Sequence, residues 1–391
     1  MVKVNSSPAC TSDILVIDDD PIIRRILQRM LQSQGYRVSL AETAAEGLKQ
    51  ALSIRPPVIL CDWRLPGNVD GLEICRRLKA EPELSMSFFL LITGHTETAN
   101  RVQALEAGAD DLLMKPIDMA ELKARVKSGM RLCELTRDLQ QQKQYLENEL
   151  AEAAIYVQSL LPQDTDRAPV RIKTRFLPSQ QLGGDCFDFY WLDPDYLAIY
   201  LLDVSGHGLG AALLSTSVLN VLRSQSLPGT NFYRPDKVLE GLNEMFQMSD
   251  QNDKYFTIWY GVYNRANRQL MYASAGHPPA ILIPESQATP DDAQRLRTPG
   301  MPVGMMPDTT YTWKRCTIPE RSCLYIFSDG IYEVNLPKIP GTPEAMMSLD
   351  DFVQHLVKSP RPGELDKIIS HAIDPLATIG DDLSLLEISF D

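Results

Sequence analysis

Four aspartates in the C-terminal half of the chain stand in glycine-flanked turns: Gly183-Gly184-Asp185, Asp203-Val204-Ser205-Gly206-His207-Gly208, Ser328-Asp329-Gly330 and Gly380-Asp381-Asp382. Hard divalent cations take carboxylate oxygens, and two such ions a few ångströms apart can activate one water, so the set reads as the ligands of a two-metal site. Two of the four follow strand-like apolar runs, Leu197 to Leu202 before Asp203 and Cys323 to Phe327 before Asp329. A strand end is where a rigid sheet can present a ligand. A second acidic set lies near the N-terminus. Asp18 and Asp19 follow the run Ile14 to Ile17, Asp62 follows Val58 to Cys61, Thr93 follows Phe88 to Ile92, and Lys115 follows Leu112 to Met114. Three carboxylates repel one another unless a divalent cation sits among them, and a lysine adds compensating charge.

The elements that must hold these residues differ between the two sets. From Asp13 to Arg125 the four apolar runs alternate with amphipathic stretches, the pattern of a βα repeat with a parallel, doubly wound sheet. Ile22, Ile23, Ile26, Leu27, Met30 and Leu31 share one helical face directly after Asp20-Pro21, with proline in the first turn. Ligands of such a sheet bind at the carboxyl ends of its strands, where the acids fall. After Asp118 the pattern is helical through Leu122, Val126, Leu132, Leu135, Leu139, Leu146, Leu150, Val157 and Leu161, interrupted by Gly129 alone. Leu132, Leu135 and Leu139 have heptad spacing, but Gln142 takes the next core position, so the stripe permits a dimer without requiring one. From Asp164 the chain turns strand-rich: Arg171 to Phe176, Phe187 to Trp191, Tyr196 to Leu202, Tyr255 to Tyr263, Gln269 to Ser274, Ala280 to Ile283, Cys323 to Phe327 and Leu383 to Ile388. Helical segments at Ala211 to Ser224 and Asp236 to Met248 lie between them, which suggests an α+β sandwich.

At 391 residues the chain exceeds what one core normally serves, so two domains and a connector are expected. Ordinary hydrophobic content, 44%, and the lack of a long uncharged apolar run predict a soluble, cytoplasmic protein with no membrane partner. A net charge of -13 argues against a nucleic-acid partner, because binding there needs cations to displace counterions from phosphates. The cysteines at 10, 61, 75, 133, 186, 316 and 323 show no metal-ligand spacing and read as reduced residues.

The N-terminal constellation, Asp18-Asp19, Asp62, Thr93 and Lys115-Pro116 in order, resembles the receiver domain of two-component response regulators. The resemblance implies a five-stranded domain over 11–125 in which Asp62 accepts a phosphoryl group from a cognate histidine kinase. Asp18, Asp19 and Asp62 would hold Mg2+, and Thr93 and Lys115 would bind the phosphoryl oxygens. One position departs from the pattern: Leu112 stands where receivers usually carry an aromatic residue.

The C-terminal motifs resemble the SpoIIE and RsbU branch of PPM-type (protein phosphatase 2C-like) serine/threonine phosphatases. They are Leu182-Gly-Gly-Asp-Cys-Phe-Asp188, Asp203-Val-Ser-Gly-His-Gly208, Phe256-Thr257, Ala273-Ser-Ala-Gly-His-Pro-Pro-Ala280, Gly300-Met-Pro-Val-Gly304, Ser328-Asp-Gly-Ile-Tyr-Glu333 and Asp381-Asp-Leu-Ser384. The likeness implies an αββα sandwich over 163–391, joined to the receiver by a helical linker over 126–162. It further implies that Asp203 bridges two Mn2+ or Mg2+ ions with the Val204 carbonyl, that Asp185, Asp329 and Asp381 complete the sites, and that activated water attacks phosphoserine or phosphothreonine in line. Asp381 is favoured over Asp382 by the family pattern. His207 and His277 are read as structural, as are Gly206, Gly208 and Gly304 in tight turns. The implied substrate is a phosphorylated anti-sigma factor antagonist, a STAS-domain protein of a partner-switching pathway. The alternative is a non-enzymatic adaptor for a sigma or anti-sigma factor, a role that does not need the metal aspartates.

Overall fold

The computed structural model describes residues 13–94, 98–179, 182–284, 292–333, 347–359, 365–372 and 380–391. Cys10 and the first two residues of the expected 11–125 domain lie outside the described residues. The chain divides into two units, Met1–Leu146 and Glu147–Asp391.

Unit 1 is built on β1 (Asp13–Ile17), β2 (Arg37–Ala41), β3 (Val58–Asp62), β4 (Phe88–Thr93) and β5 (Asp111–Met114), all parallel in the order β2-β1-β3-β4-β5. Helices α1 (Pro21–Ser33), α2 (Ala44–Ile54), α3 (Gly71–Ala80) and α4 (Thr98–Glu106) connect them. Alternate residues of the central strands feed two cores. Ile14, Val16, Leu60 and Leu90 pack with Leu27 and Leu31 of α1 and with Leu122, Val126 and Met130, while Leu15, Ile17, Ile59 and Leu91 pack with α2 and α3. Burial on both faces is why these strands read as unbroken apolar runs. Strand β2 escapes that signature because it is an edge strand whose Arg37 is exposed and Val38 to Leu40 only half-buried.

Helix α5 (Met119–Leu160) runs for 42 residues. Its first turns belong to the unit 1 core, and its heptad-spaced Leu132, Leu135 and Leu139, with Leu146, remain exposed. Its last turns belong to unit 2, where Leu150, Ala153, Ala154 and Val157 pack with Leu182 and Ala212, and Arg223 bonds the Leu160 carbonyl at 3.0 Å.

Unit 2 is a sandwich of two antiparallel sheets between helical layers. Its strands are β6 (Thr165–Arg167), β7 (Val170–Leu177), β8 (Cys186–Trp191), β9 (Tyr196–Val204), β10 (Phe256–Asn264), β11 (Gln269–Ala275), β12 (Ala280–Pro284), β13 (Gln294–Leu296), β14 (Lys314–Thr317), β15 (Ser322–Phe327) and β16 (Leu383–Phe390). The sheet orders are β14-β11-β10-β9-β8 and β13-β12-β15-β16-β7-β6. Leu197, Ile199 and Leu201 of β9 meet Leu324, Ile326, Leu386 and Ile388 in the inter-sheet core. The alternate residues Tyr200 and Leu202 pack under α6 (Leu209–Arg223) and α7 (Pro235–Met245), and Tyr325 and Phe327 pack under α8 (Leu349–Lys358) and α9 (Leu365–Ala372).

Several elements were not anticipated: β6, β13 and β14, which are three or four residues long, and α8 and α9. The helix expected to reach Met248 stops at Met245, because the Met248 N–H bonds the Gly304 carbonyl instead of continuing the helix. Among the described residues no helix is long and apolar enough to cross a membrane.

Gly129 tests the packing of α5 on the sheet. Alanine in a helix interior normally gains about 1 kcal/mol over glycine, but here a Cβ would overlap the Phe88 ring. Gly129→Ala is therefore expected to destabilise unit 1 by about 1–3 kcal/mol in urea unfolding, the reverse of the propensity effect.

Candidate functional site

In unit 1 the chain delivers three acids to one sheet end. Asp18 is buried and follows β1, Asp62 is buried at the end of β3, and Asp19 is exposed beside them. Asp18, Asp19 and Asp62 each bring a carboxylate oxygen within 4.8 Å of the others. The third acid of the run, Asp20, serves the helix instead, because its side chain accepts the Ile22 N–H at 2.7 Å and caps α1. Lys115 Nζ lies 2.8 Å from Asp62 Oδ2 and 3.6 Å from Asp18 Oδ2. Thr93 is buried at the end of β4, and its carbonyl accepts the Lys115 N–H at 2.7 Å. Leu112, at the usual aromatic position, is buried in the core instead of lying at the surface.

Burial raises the Asp18 pKa, and the charges of Asp62 and Asp19 add to it against the Asp20 N–H and Lys115. Burial alone would lower the Lys115 pKa, but its bond to Asp62 and the charges of Asp18 and Asp62 raise it overall. Asp18 Oδ2 is buried with no hydrogen-bond partner. A buried carboxylate oxygen that accepts no hydrogen bond, has only the Lys115 ammonium at 3.6 Å, and faces two further acids fits a hard divalent cation.

In unit 2 the four glycine-flanked acids sit at the strand ends of the sandwich. Asp203 lies opposite Thr257 in the β9–β10 ladder, and Asp185 immediately precedes β8, whose Cys186 pairs with Leu202. Asp329 follows β15, and Asp381 precedes β16. Asp185 is buried, Asp203 and Asp329 are partly buried, and Asp381 is exposed. The Ser384 hydroxyl donates to Asp185 Oδ2 at 2.6 Å, whereas Asp185 Oδ1 is buried and unpartnered, as is the Thr257 hydroxyl.

These acids raise one another's pKa values. Burial and then the charges of Asp329, Asp381 and Asp382 push Asp203 up to about 8. Burial, Glu333 and Asp381 push Asp329 up to about 6, and burial together with Asp203 carries Asp185 well above the carboxylate range. A cluster whose ionised form is this costly fits the residues expected to hold divalent cations. Among the described residues no three of these oxygens converge as closely as those of unit 1.

The neighbouring acids Asp381 and Asp382 divide their work. Asp382 is buried, and its carboxylate accepts the Ser179 N–H at 2.8 Å and the Gly184 and Asp185 N–H groups. It ties the Asp185 turn to the start of β16, a role that sequence reading did not assign. Ser328, whose hydroxyl donates to the Asp382 carbonyl at 3.1 Å and accepts the Ser384 N–H at 2.9 Å, completes that tie. Its only sequence signal was its place in the Ser328-Asp329-Gly330 motif. His207 is exposed in a turn where Gly206 and Gly208 adopt φ values of 78° and 83°, conformations that disfavour any side chain. His277 is fully buried with Nδ1 3.0 Å from the Pro278 carbonyl, and burial lowers its pKa to about 4, so it is a neutral core residue.

Fold and site together define two classes: a receiver-type α/β domain with an acidic cluster at one sheet end, and a two-sheet phosphatase-type sandwich with acids at one sheet end. The family described as Stage II sporulation protein E (SpoIIE) matches residues 193–391, and the family described as response regulator receiver domain matches residues 14–127. The chain belongs to the SpoIIE family and carries a receiver domain ahead of it. It is 40% identical over 126 residues to response regulator MprA of Mycobacterium ulcerans (strain Agy99), covering 32% of this chain and 53% of that protein. It is 38% identical over 118 residues to transcriptional regulatory protein ResD of Bacillus subtilis (strain 168), covering 30% of this chain and 48% of that protein. The chain thus spans about half the length of these relatives. The SiaA-PP2C domain of Pseudomonas aeruginosa shares the fold at a TM-score of 0.51 and 15% identity, covering 64% of this chain and 98% of that one.

Two outcomes follow from this geometry. Asp382→Ala strands buried N–H groups and should cost about 2 kcal/mol or more in urea unfolding, while Asp381→Ala, at an exposed position where the carboxylate accepts only the Asp382 N–H at 2.8 Å, should cost about 1 kcal/mol or less. A carboxyl whose folded pKa is raised stabilises the fold at low pH and loses that contribution as pH rises through the folded pKa. In chelator, stability of unit 2 should therefore fall between the ordinary carboxyl value of 3.8 and about 8, most steeply below about 6, and Asp203→Asn should shrink the fall above 6.

Proposed function

We propose that the chain is a response regulator whose output is a metal-dependent phosphoserine/phosphothreonine protein phosphatase. The observation that carries this reading is the mutually repelling set of buried Asp185 with half-buried Asp203 and Asp329 at one end of a SpoIIE-family sandwich. Asp203 with the Val204 carbonyl, and Asp185, Asp329 and Asp381, would hold two Mn2+ or Mg2+ ions. Bound there, such ions lower the pKa of a water and neutralise charge on a phosphoryl group. The protein's own share is to fix the acids: Ser384 orients Asp185, Asp382 clamps the turn before it, and the β9–β10 ladder sets Asp203. An adaptor that only bound a partner would have no use for this costly arrangement.

In unit 1 the reading assigns Asp62 as the acceptor of a phosphoryl group from a cognate histidine kinase. Asp18, Asp19 and Asp62 would hold Mg2+, with Thr93 and Lys115 on the phosphoryl oxygens. Lys115, already 2.8 Å from Asp62, has the reach for that exchange. The proposed substrate is a phosphorylated anti-sigma factor antagonist in a partner-switching pathway, in the cytoplasm. The exposed leucines of α5 would pair with a second copy of the chain. Control would pass through the end of α5, whose Val157 and Ala154 share a cluster with Leu182, three residues before Asp185, and with Ala212 of α6.

The test is phosphate release from a phosphopeptide in Mn2+, with and without beryllofluoride. Asp203→Asn should lower the rate by about a hundredfold, since even outer partners of metal ligands cost ten- to a hundredfold. Asp62→Asn should remove the response to beryllofluoride and leave the basal rate. Full activity in Asp203→Asn contradicts the metal site, and equal rates with and without beryllofluoride contradict control by unit 1.

A further inference from the structure

The turn that carries Asp203 has a cation at its edge. Strands β9 and β10 pair through Val204 and Phe256. The pairing continues one residue further, with the Ser205 N–H donating to the Tyr255 carbonyl at 2.9 Å and the Tyr255 N–H donating to Ser205 Oγ at 3.1 Å. This extension holds Lys254 against the glycine turn. Its Nζ donates to the Ser205 carbonyl at 3.1 Å and lies 3.5 Å from where a Gly206 Cβ would stand. Its Cε lies 3.1 Å from the position of a Gly210 Cβ, so glycine there gives the lysine stem its path.

Lys254 is partly buried, yet among the described residues no carboxylate lies within ion-pair distance of it, and its ammonium has the Ser205 carbonyl as its partner. The other half-buried lysines of the described residues are paired with carboxylates, Lys115 with Asp62 and Lys79 with Asp110. The Lys254 ammonium carries three donors, of which Ser205 takes one. Partial desolvation without a counterion is costly, and an anion arriving at the Asp203 turn would offset that cost.

We propose that Lys254 binds the non-bridging oxygens of the substrate's phosphoryl group, an inference that rests on the phosphatase reading. Ser205, whose carbonyl tethers the ammonium, is two positions along the chain from Asp203, about 7 Å of extended backbone. A lysine side chain pivoting on that tether spans the gap to a phosphoester placed against the acids. It supplies fixed positive charge to oxygens whose charge must be stabilised through the transfer. No side chain of the acidic set can do this, because each carries charge of the same sign as the substrate.

The experiment is steady-state hydrolysis of para-nitrophenyl phosphate in Mn2+ by the full chain, with inorganic phosphate as inhibitor and Mn2+ affinity measured calorimetrically. Lys254→Met is expected to raise KM and the phosphate inhibition constant about tenfold or more, the worth of a charge-assisted hydrogen bond, with Mn2+ affinity unchanged. Lys254→Arg should recover most of the phosphate affinity. Gly210→Ala, which crowds the lysine stem without touching its charge, should shift KM in the same direction and keeps the test open if Lys254→Met folds poorly. Wild-type KM and phosphate inhibition in Lys254→Met would overturn the proposal. So would a parallel loss of Mn2+ affinity, which would make Lys254 only a brace for the turn. If the wild type itself releases no phosphate in Mn2+, the phosphatase reading falls and takes this inference with it; an active wild type with an indifferent Lys254 removes the inference alone.

Discussion

Like charges held together out of water are the constraint from which both halves of this chain are built. An isolated buried carboxylate takes up a proton rather than pay its desolvation, and neighbours of the same sign push it further that way. Asp203 and Asp329 are displaced upward for this reason, and Asp18 is displaced in the same direction in unit 1. A fold keeps such a cluster only if the rest of the structure fixes it in place. Here the fixing is done by ladders and backbone donors: Asp382 accepts N–H groups of the Asp185 turn, Ser384 donates to Asp185, and Lys115 bridges Asp62 and Asp18.

Strand alternation fixes the face on which Asp203 stands. Leu197, Ile199 and Leu201 point into the inter-sheet core, and Asp203 continues that series past the end of the apolar run. Cys323, Tyr325 and Phe327 face the α8–α9 layer, but Asp329 lies beyond β15 in a short 3-10 turn, placed by the bonds of Ser328 to Asp382 and Ser384. A slip of one residue in the β9–β10 ladder would turn Asp203 to the other face. The inter-sheet core therefore does more than stabilise unit 2, because its register sets the face of Asp203.

Much of this was legible because it is written in runs and turns. Strands buried on both faces, such as β3 and β4, announce themselves, and the acids at their ends follow from the sheet rule. What was not legible depends on partners distant in sequence. Strand β2 is an edge with a half-exposed pattern, and β13 and β14 are too short to show a period. Asp382 looks identical to Asp381 in the sequence; only the fold, bringing Ser179 and Gly184 across to it, makes one a structural acceptor and leaves the other at the surface. Lys254 carries no motif at all, since its partner is a backbone carbonyl 49 residues away.

The central claim is that the acids of unit 2 are strained by mutual repulsion that a divalent cation relieves. Calorimetric titration of Mn2+ at pH 7 in buffers of different ionisation enthalpy measures it directly. With the Asp203 pKa near 8, ion binding should release about one proton per chain or more, because a carboxyl still protonated at pH 7 must ionise to become a ligand. Binding without proton release, or no Mn2+ binding at all, would contradict the account.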